Sequence, residues 1–179
     1  MPLEFSPFTY EISPYERQRR LRIGAFQLVV DVSLTLRNCL SLSENAPRFP
    51  AVIDTGHGHN FSIRESHLLD LAGLDLSTLP VERPVQVTDS HGKTVLVDCY
   101  AAALWVHAGK DQAPPIRLAL DGGFSCYRSN GPVAGPPFPL IGARALSTGA
   151  VFLGVDYERL LFFIETPDSR LRDLAGKPR

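Results

Sequence analysis

Apolar residues alternate along 26–36, where Leu28, Val30, Val32, Leu34 and Leu36 share one face. A period of two marks a half-buried strand. Residues 41–48 are polar with Pro47 and read as a loop, and Phe49 to Ile53 form an apolar strand that delivers Asp54 into a Thr-Gly turn. Two β-rich runs, Val85–Thr88 and Thr94–Val97, flank Asp89-Ser90-His91-Gly92-Lys93 and predict a hairpin. Ala101–His107 and Ile116–Leu120 read as further strands, and Ala150–Leu153 with Leu160–Ile164 as a second hairpin.

Helical signals are few. Ser62 and Glu65 stand three apart, the spacing of a capping box, with Leu68, Leu71 and Ala72 behind them and Gly73 as a stop. A second short helix is expected after Leu140-Ile141-Gly142, ending near Gly149. Residues 122–139 hold eight Gly or Pro, a density that predicts one long loop. Residues 1–22 carry Pro2, Pro7 and Pro14 and read as an irregular arm, docked through Phe5, Phe8 and Tyr10; residues 166–179 read as a frayed tail. Strands dominate, so the expected class is all-β, a closed or sandwich-like barrel with two short helices in one domain over 23–165.

Bulk properties narrow the function. The formal net charge of −1 gives no field to recruit nucleic acid or an anionic membrane. Three cysteines have no metal-ligand spacing, and their odd number argues against a disulfide framework. Cys39 and Cys99 are expected in strands as core residues, and Cys126 in the long loop. No apolar run reaches the roughly 18 residues of a membrane helix, and the first residues lack a signal-peptide core. The expectation is a soluble, cytoplasmic protein that binds neither nucleic acid nor membrane.

An Asp-Thr-Gly triplet alone can be a plain turn. Here an apolar strand leads to Asp54-Thr55-Gly56, a short helix comes next, then the hairpin, then Leu140-Ile141-Gly142 ahead of a second helix. This order resembles the retropepsin-like aspartic proteases, the single-domain relatives of pepsin. Ile53-Asp54-Thr55-Gly56 is similar to the family's signature, and His59-Asn60-Phe61-Ser62-Ile63 and Leu71-Ala72-Gly73-Leu74 are similar to its continuation. Asp89, Ser90, His91 and Gly92 resemble the tip of the substrate-covering flap. Leu140, Ile141 and Gly142 resemble the segment packed under the active-site loop. His57-Gly58 stands where the family usually has Ala and a small or acidic residue, and Arg144 lies one place later than the usual Arg. The resemblance implies a closed barrel of acid-protease type.

It also implies peptide hydrolysis by two carboxylates that share a proton and a water, with Asp54 catalytic and Thr55, Gly56 and His57 in its loop. The resemblance has Thr55 brace the loop through its hydroxyl, and Gly56 lets the backbone approach closely. A second carboxylate is missing within the chain. Leu120-Asp121-Gly122-Gly123 lacks the hydroxyl residue and stands too near Gly142 for a half-barrel of its own, so a turn is the better reading. The partner of Asp54 is therefore expected to be Asp54 of a second copy in a two-fold homodimer acting on peptide or protein, without metal or cofactor. Two other readings stay open: a silent retropepsin-fold module that dimerises or binds peptides, and a metal-dependent hydrolase using His57 and His59, alternate residues that could share an ion.

Overall fold

A computed structural model describes residues 3–5, 27–88, 92–107, 114–156, 158 and 161–166. The strands in chain order begin with β1 (Leu3–Phe5), β2 (Leu28–Thr35), β3 (Phe49–Asp54) and β4 (Phe61–Arg64). Helix α1 (Glu65–Ala72) and a 3₁₀ turn at Leu76–Thr78 lead to β5 (Val81–Thr88) and β6 (Thr94–Tyr100). Then come β7 (Ala103–Val106), β8 (Ile116–Ala119), β9 (Phe124–Tyr127) and β10 (Leu140–Gly142). Helix α2 (Ala143–Thr148) precedes β11 (Phe152–Asp156) and β12 (Leu161–Glu165). The class is all-β with two short α-helices among the described residues. No described helix is long and apolar enough to cross a membrane.

Two sheets form, a three-stranded one in the order β1-β12-β11 and a nine-stranded one in the order β5-β6-β9-β4-β10-β3-β2-β7-β8. The expected closed barrel is not found: among the described residues the outer strands β5 and β8 do not pair with each other. At the centre, β10 enters between β3 and β4, parallel to the first and antiparallel to the second. On the far side of β4, β9 runs parallel to it.

Alternation in β2 and β3 sends residues to two apolar layers. Val30, Val32, Leu34, Phe49, Ala51 and Ile53 join Phe61, Ile63, Leu68, Phe124 and Ile141 in the main core. Val29 and Val52 face the other way and pack with Phe138 and Leu140. Burial on both faces explains why 49–53 reads as a continuous apolar run. Leu36, placed by the alternation on the core face, lies past the end of β2 and is exposed.

Three local expectations change. The 122–139 segment is not one loop, because Phe124–Tyr127 is a fully buried strand held between β4 and β6. A strand of four residues is too short to show a period, and tertiary pairing decides the outcome. Gly123, at φ 80°, lets this strand pass close to Tyr100, whose carbonyl oxygen a Cβ would strike. The capping box is absent as well: Ser62 belongs to β4, and α1 starts at Glu65 with Arg64 as an N-cap whose side chain does not cap the helix. Within the expected N-terminal arm, Leu3–Phe5 is a strand paired with β12; Phe8 and Tyr10 lie outside the described residues, as does the tail from 167.

The cysteines follow the corrected elements. Cys126 sits in β9, not in a loop, and burial pushes its thiol up to about 12. Cys99 is buried in β6 and its pKa is also raised by burial. Cys39 lies outside any strand and is only half-buried. We therefore predict that an aromatic disulfide reagent titrates one of the three thiols quickly in the native protein, Cys39, and all three in denaturant. Rapid native labelling of Cys126 would contradict the placement of β9.

Candidate functional site

Asp54 ends β3 two residues after Val52, so the pleat places it on the second, minor-layer side of the sheet. Across the parallel pairing Leu140 stands opposite Val52, Ile141 opposite Ile53 and Gly142 opposite Asp54. The loop after Asp54 turns back over the end of β10. The Gly142 N–H donates to Asn60 O at 2.9 Å, and the Ala143 N–H donates to His57 O at 3.1 Å. A Cβ at Gly142 would strike His59 O and lie 2.5 Å from His57 O, so only glycine fits under the loop. Leu140, Ile141 and Gly142 thus support the Asp54 loop from below.

The turn fixes the carboxylate locally. Oδ1 of half-buried Asp54 accepts the Gly56 N–H at 2.9 Å, and the His57 N–H donates to Asp54 O at 3.0 Å. A Cβ on Gly56 would stand 3.3 Å from that carboxylate oxygen, tighter than an ordinary contact. One carboxylate oxygen is therefore anchored by backbone, and the other makes no hydrogen bond among the described residues. Thr55 is exposed, and its hydroxyl makes no hydrogen bond among the described residues.

His57 turns inward. Its Nε2 lies 2.7 Å from Oγ of Ser62, a fully buried residue of β4. The Tyr127 side chain from β9 approaches the same Ser62 hydroxyl. The rings of His57 and His59 meet edge to face with centroids 5.2 Å apart. Burial lowers the proton affinity of His57, the neighbouring His59 lowers it further, and Asp54 opposes both. Burial also lowers that of His59, with Arg144 of α2 adding to it. Both imidazoles are thus biased toward the neutral form near neutral pH.

A cleft of about 590 Å³ opens beside this loop. Its floor is His57, Gly58 and His59, one side is Gln86, Val87 and Thr88 of β5, and the other runs from Tyr127 to the Pro132–Pro136 segment. Two anchors hold that segment in place. Arg64 donates from Nε and Nη2 to Gly135 O at 3.0 and 2.7 Å, and Gly135 packs so closely on Tyr127 that a Cβ would lie 2.5 Å from that side chain. Asp54 itself is not in the cleft lining. Asp89, Ser90 and His91 at the hairpin tip lie outside the described residues; Gly92 is exposed, with the left-handed φ of 78° that suits a turn.

Asp121 occupies an exposed turn, as its sequence context implies. Asn60 Nδ2 donates to Asp121 O at 2.6 Å and to Gly123 O at 3.0 Å, tying that turn to the Asp54 loop through backbone. His57 and His59 lie in the loop rather than in a strand, and among the described residues no three His, Cys, Asp or Glu side chains converge as metal ligands. His67 and His107 are buried elsewhere, the latter 2.9 Å from Ser33 Oγ. Ser62, Arg64 and Tyr127 escaped sequence reasoning because they act across strand pairings. The one available signal was Ser62, a hydroxyl inside an apolar strand that needs a partner once buried.

Replacing Gly142 by alanine tests the support under the loop. With two backbone carbonyls in the way, Gly142→Ala is expected to cost about 1–3 kcal/mol of unfolding free energy, the range of overpacked cores. Chemical denaturation measures it, and an unchanged midpoint would show that the loop does not rest on β10.

Compared as a whole, the chain matches no known family model, and no curated protein or solved structure is significantly similar to it.

Proposed function

We propose that the chain is a retropepsin-like aspartic endopeptidase that works as a homodimer. What carries the reading is Asp54 at the end of β3, on a loop that Gly142 of the inserted strand β10 supports. The anchored oxygen holds the carboxylate in one orientation, and the second oxygen is left for a partner or a water. A two-fold axis at this loop brings Asp54 against its copy. Like charges about 3 Å apart cannot both ionise, so the pair shares one proton and titrates as a unit. The ionised member takes a proton from the bound water, which attacks the scissile carbonyl. The protonated member donates to the carbonyl oxygen. Thr55, exposed and without a hydroxyl hydrogen bond among the described residues, is then free to brace the loop across the axis.

Substrate would lie extended beside β5, the outer strand of the nine-stranded sheet, and pair its backbone in the manner of β-addition. Gln86, Val87 and Thr88 already line the cleft.

A second reading has its own support. The cleft lining of one chain includes His57 and Gly58 but not Asp54, which suits a module that binds peptides without cutting them.

One set of assays separates these readings. The purified protein should cleave an unstructured protein at mildly acidic pH, and Asp54→Asn should lower the rate by about 10²–10⁴-fold. Specific activity should rise with protein concentration through the dimer constant. A monomer by sedimentation with flat specific activity would overturn the dimeric site. A dimer that cleaves nothing would favour the binding module. Activity lost to a chelator but indifferent to pepstatin-like inhibitors would favour metal chemistry.

A further inference from the structure

We infer that the cleft floor is a subsite for an acidic side chain: His57 and His59, with Tyr127 behind them, receive the carboxylate of a substrate Asp or Glu. The inference rests on the reading of this cleft as a peptide groove. At about 590 Å³ it has room for a stretch of backbone and a side chain together. The side chains in its lining that can bond a ligand are His57, His59, Gln86, Thr88 and Tyr127; no Asp, Glu, Lys or Arg is among them. A cleft without a lining carboxylate offers nothing to neutralise a substrate Lys or Arg. It does offer several N–H and O–H donors to an acceptor.

The floor is built rather than incidental. A loop histidine at a surface bonds to water. His57 instead sets Nε2 against a hydroxyl with no exposure at all, which the Tyr127 side chain of a different strand also approaches. The ring is thereby pinned, and Nδ1, which has no hydrogen-bond partner among the described residues, is the edge left to a ligand. His59 meets it edge to face at 5.2 Å, and both residues line the cleft. Holding donors in place before the ligand arrives removes part of the ordering cost of binding.

Charge decides between a carboxylate and an amide. The groups that face these rings are Asp54 on the same loop, Arg144 from α2 beside His59, and Tyr127 of β9 through Ser62. With the cleft empty, burial keeps both imidazoles short of protons, with His59 adding to the effect at His57 and Arg144 at His59. A carboxylate between them reverses that balance and raises their proton affinity, so binding takes up a proton. Affinity for an acidic side chain therefore strengthens as pH falls from about 7.5. It weakens again only near pH 4, where the substrate carboxyl itself protonates. A neutral amide takes up no proton and gains nothing over this range.

The test uses matched peptides carrying Glu, Gln or Leu at each position around the cut, with kcat/KM measured between about pH 5 and 7.5. At one position Glu should exceed Gln by about tenfold at the acidic end, the size of one charge-assisted hydrogen bond. The ratio should fall toward one at the neutral end. In His57→Gln the Glu-to-Gln ratio should stay near one at every pH, whatever the overall rate. A parallel measurement follows the histidine ring protons of the wild-type protein by NMR, assigned through His57→Gln and His59→Gln. The Glu peptide should raise the titration midpoints of His57 and His59, and the Gln peptide should leave them unmoved. If no peptide is cut, the protease reading fails and the ring titration still judges the subsite. Cleavage with equal Glu and Gln rates at all pH, or midpoints indifferent to the Glu peptide, would overturn the subsite while leaving the protease standing.

Discussion

The contact on which this structure depends is the approach of the Asp54 loop to Gly142. Backbone meets backbone there without a side chain between, and two hydrogen bonds close the gap, Gly142 to Asn60 and Ala143 to His57. The approach is possible only because β10 enters the sheet between β3 and β4. Those two strands are joined by the loop itself, so the inserted strand fills the space the loop spans. The carboxylate orientation, the inward turn of His57 and the start of α2 all depend on that insertion.

The same geometry separates the jobs of neighbouring residues. Ile53 serves the main core, while Asp54 falls on the opposite side with Val52 and Leu140. Beyond the turn the chain becomes polar, and His57 stands where the aspartic protease pattern usually has Ala. The rings of His57 and His59 line the cleft beside the Asp54 loop. Burying an imidazole biases it toward the neutral form, so the floor answers to charge brought by a ligand. Arg64 and Gly135 complete the wall by fixing the proline-rich segment against Tyr127.

Much of this was legible in the chain. The alternation of 28–34, the apolar run into Asp54, both hairpins and the helix after Gly142 are local patterns, and local patterns survive folding. Gly142 could be singled out because an apolar pair followed by glycine has a meaning beside an Asp-Thr-Gly turn. The illegible part depends on pairing at long range. Phe124–Tyr127 carries no period of its own and becomes a strand because β4 and β6 flank it. Ser62 looked like a helix cap, yet its hydroxyl serves a histidine five residues earlier in the chain. The openness of the nine-stranded sheet is likewise a property of which edges meet, and no stretch of sequence states it.

The central claim is that two copies of Asp54 meet, and a covalent trap tests it most directly. Two cysteines join only when their Cα atoms come within about 7 Å. The variant Asp54→Cys, made with Cys39→Ser so that Cys99 and Cys126 remain as buried thiols, is oxidised under mild conditions. A site shared across a two-fold axis predicts a chain-to-chain disulfide and a dimer band that reductant dissolves. A variant that dimerises in solution yet stays entirely monomeric on a non-reducing gel would contradict it.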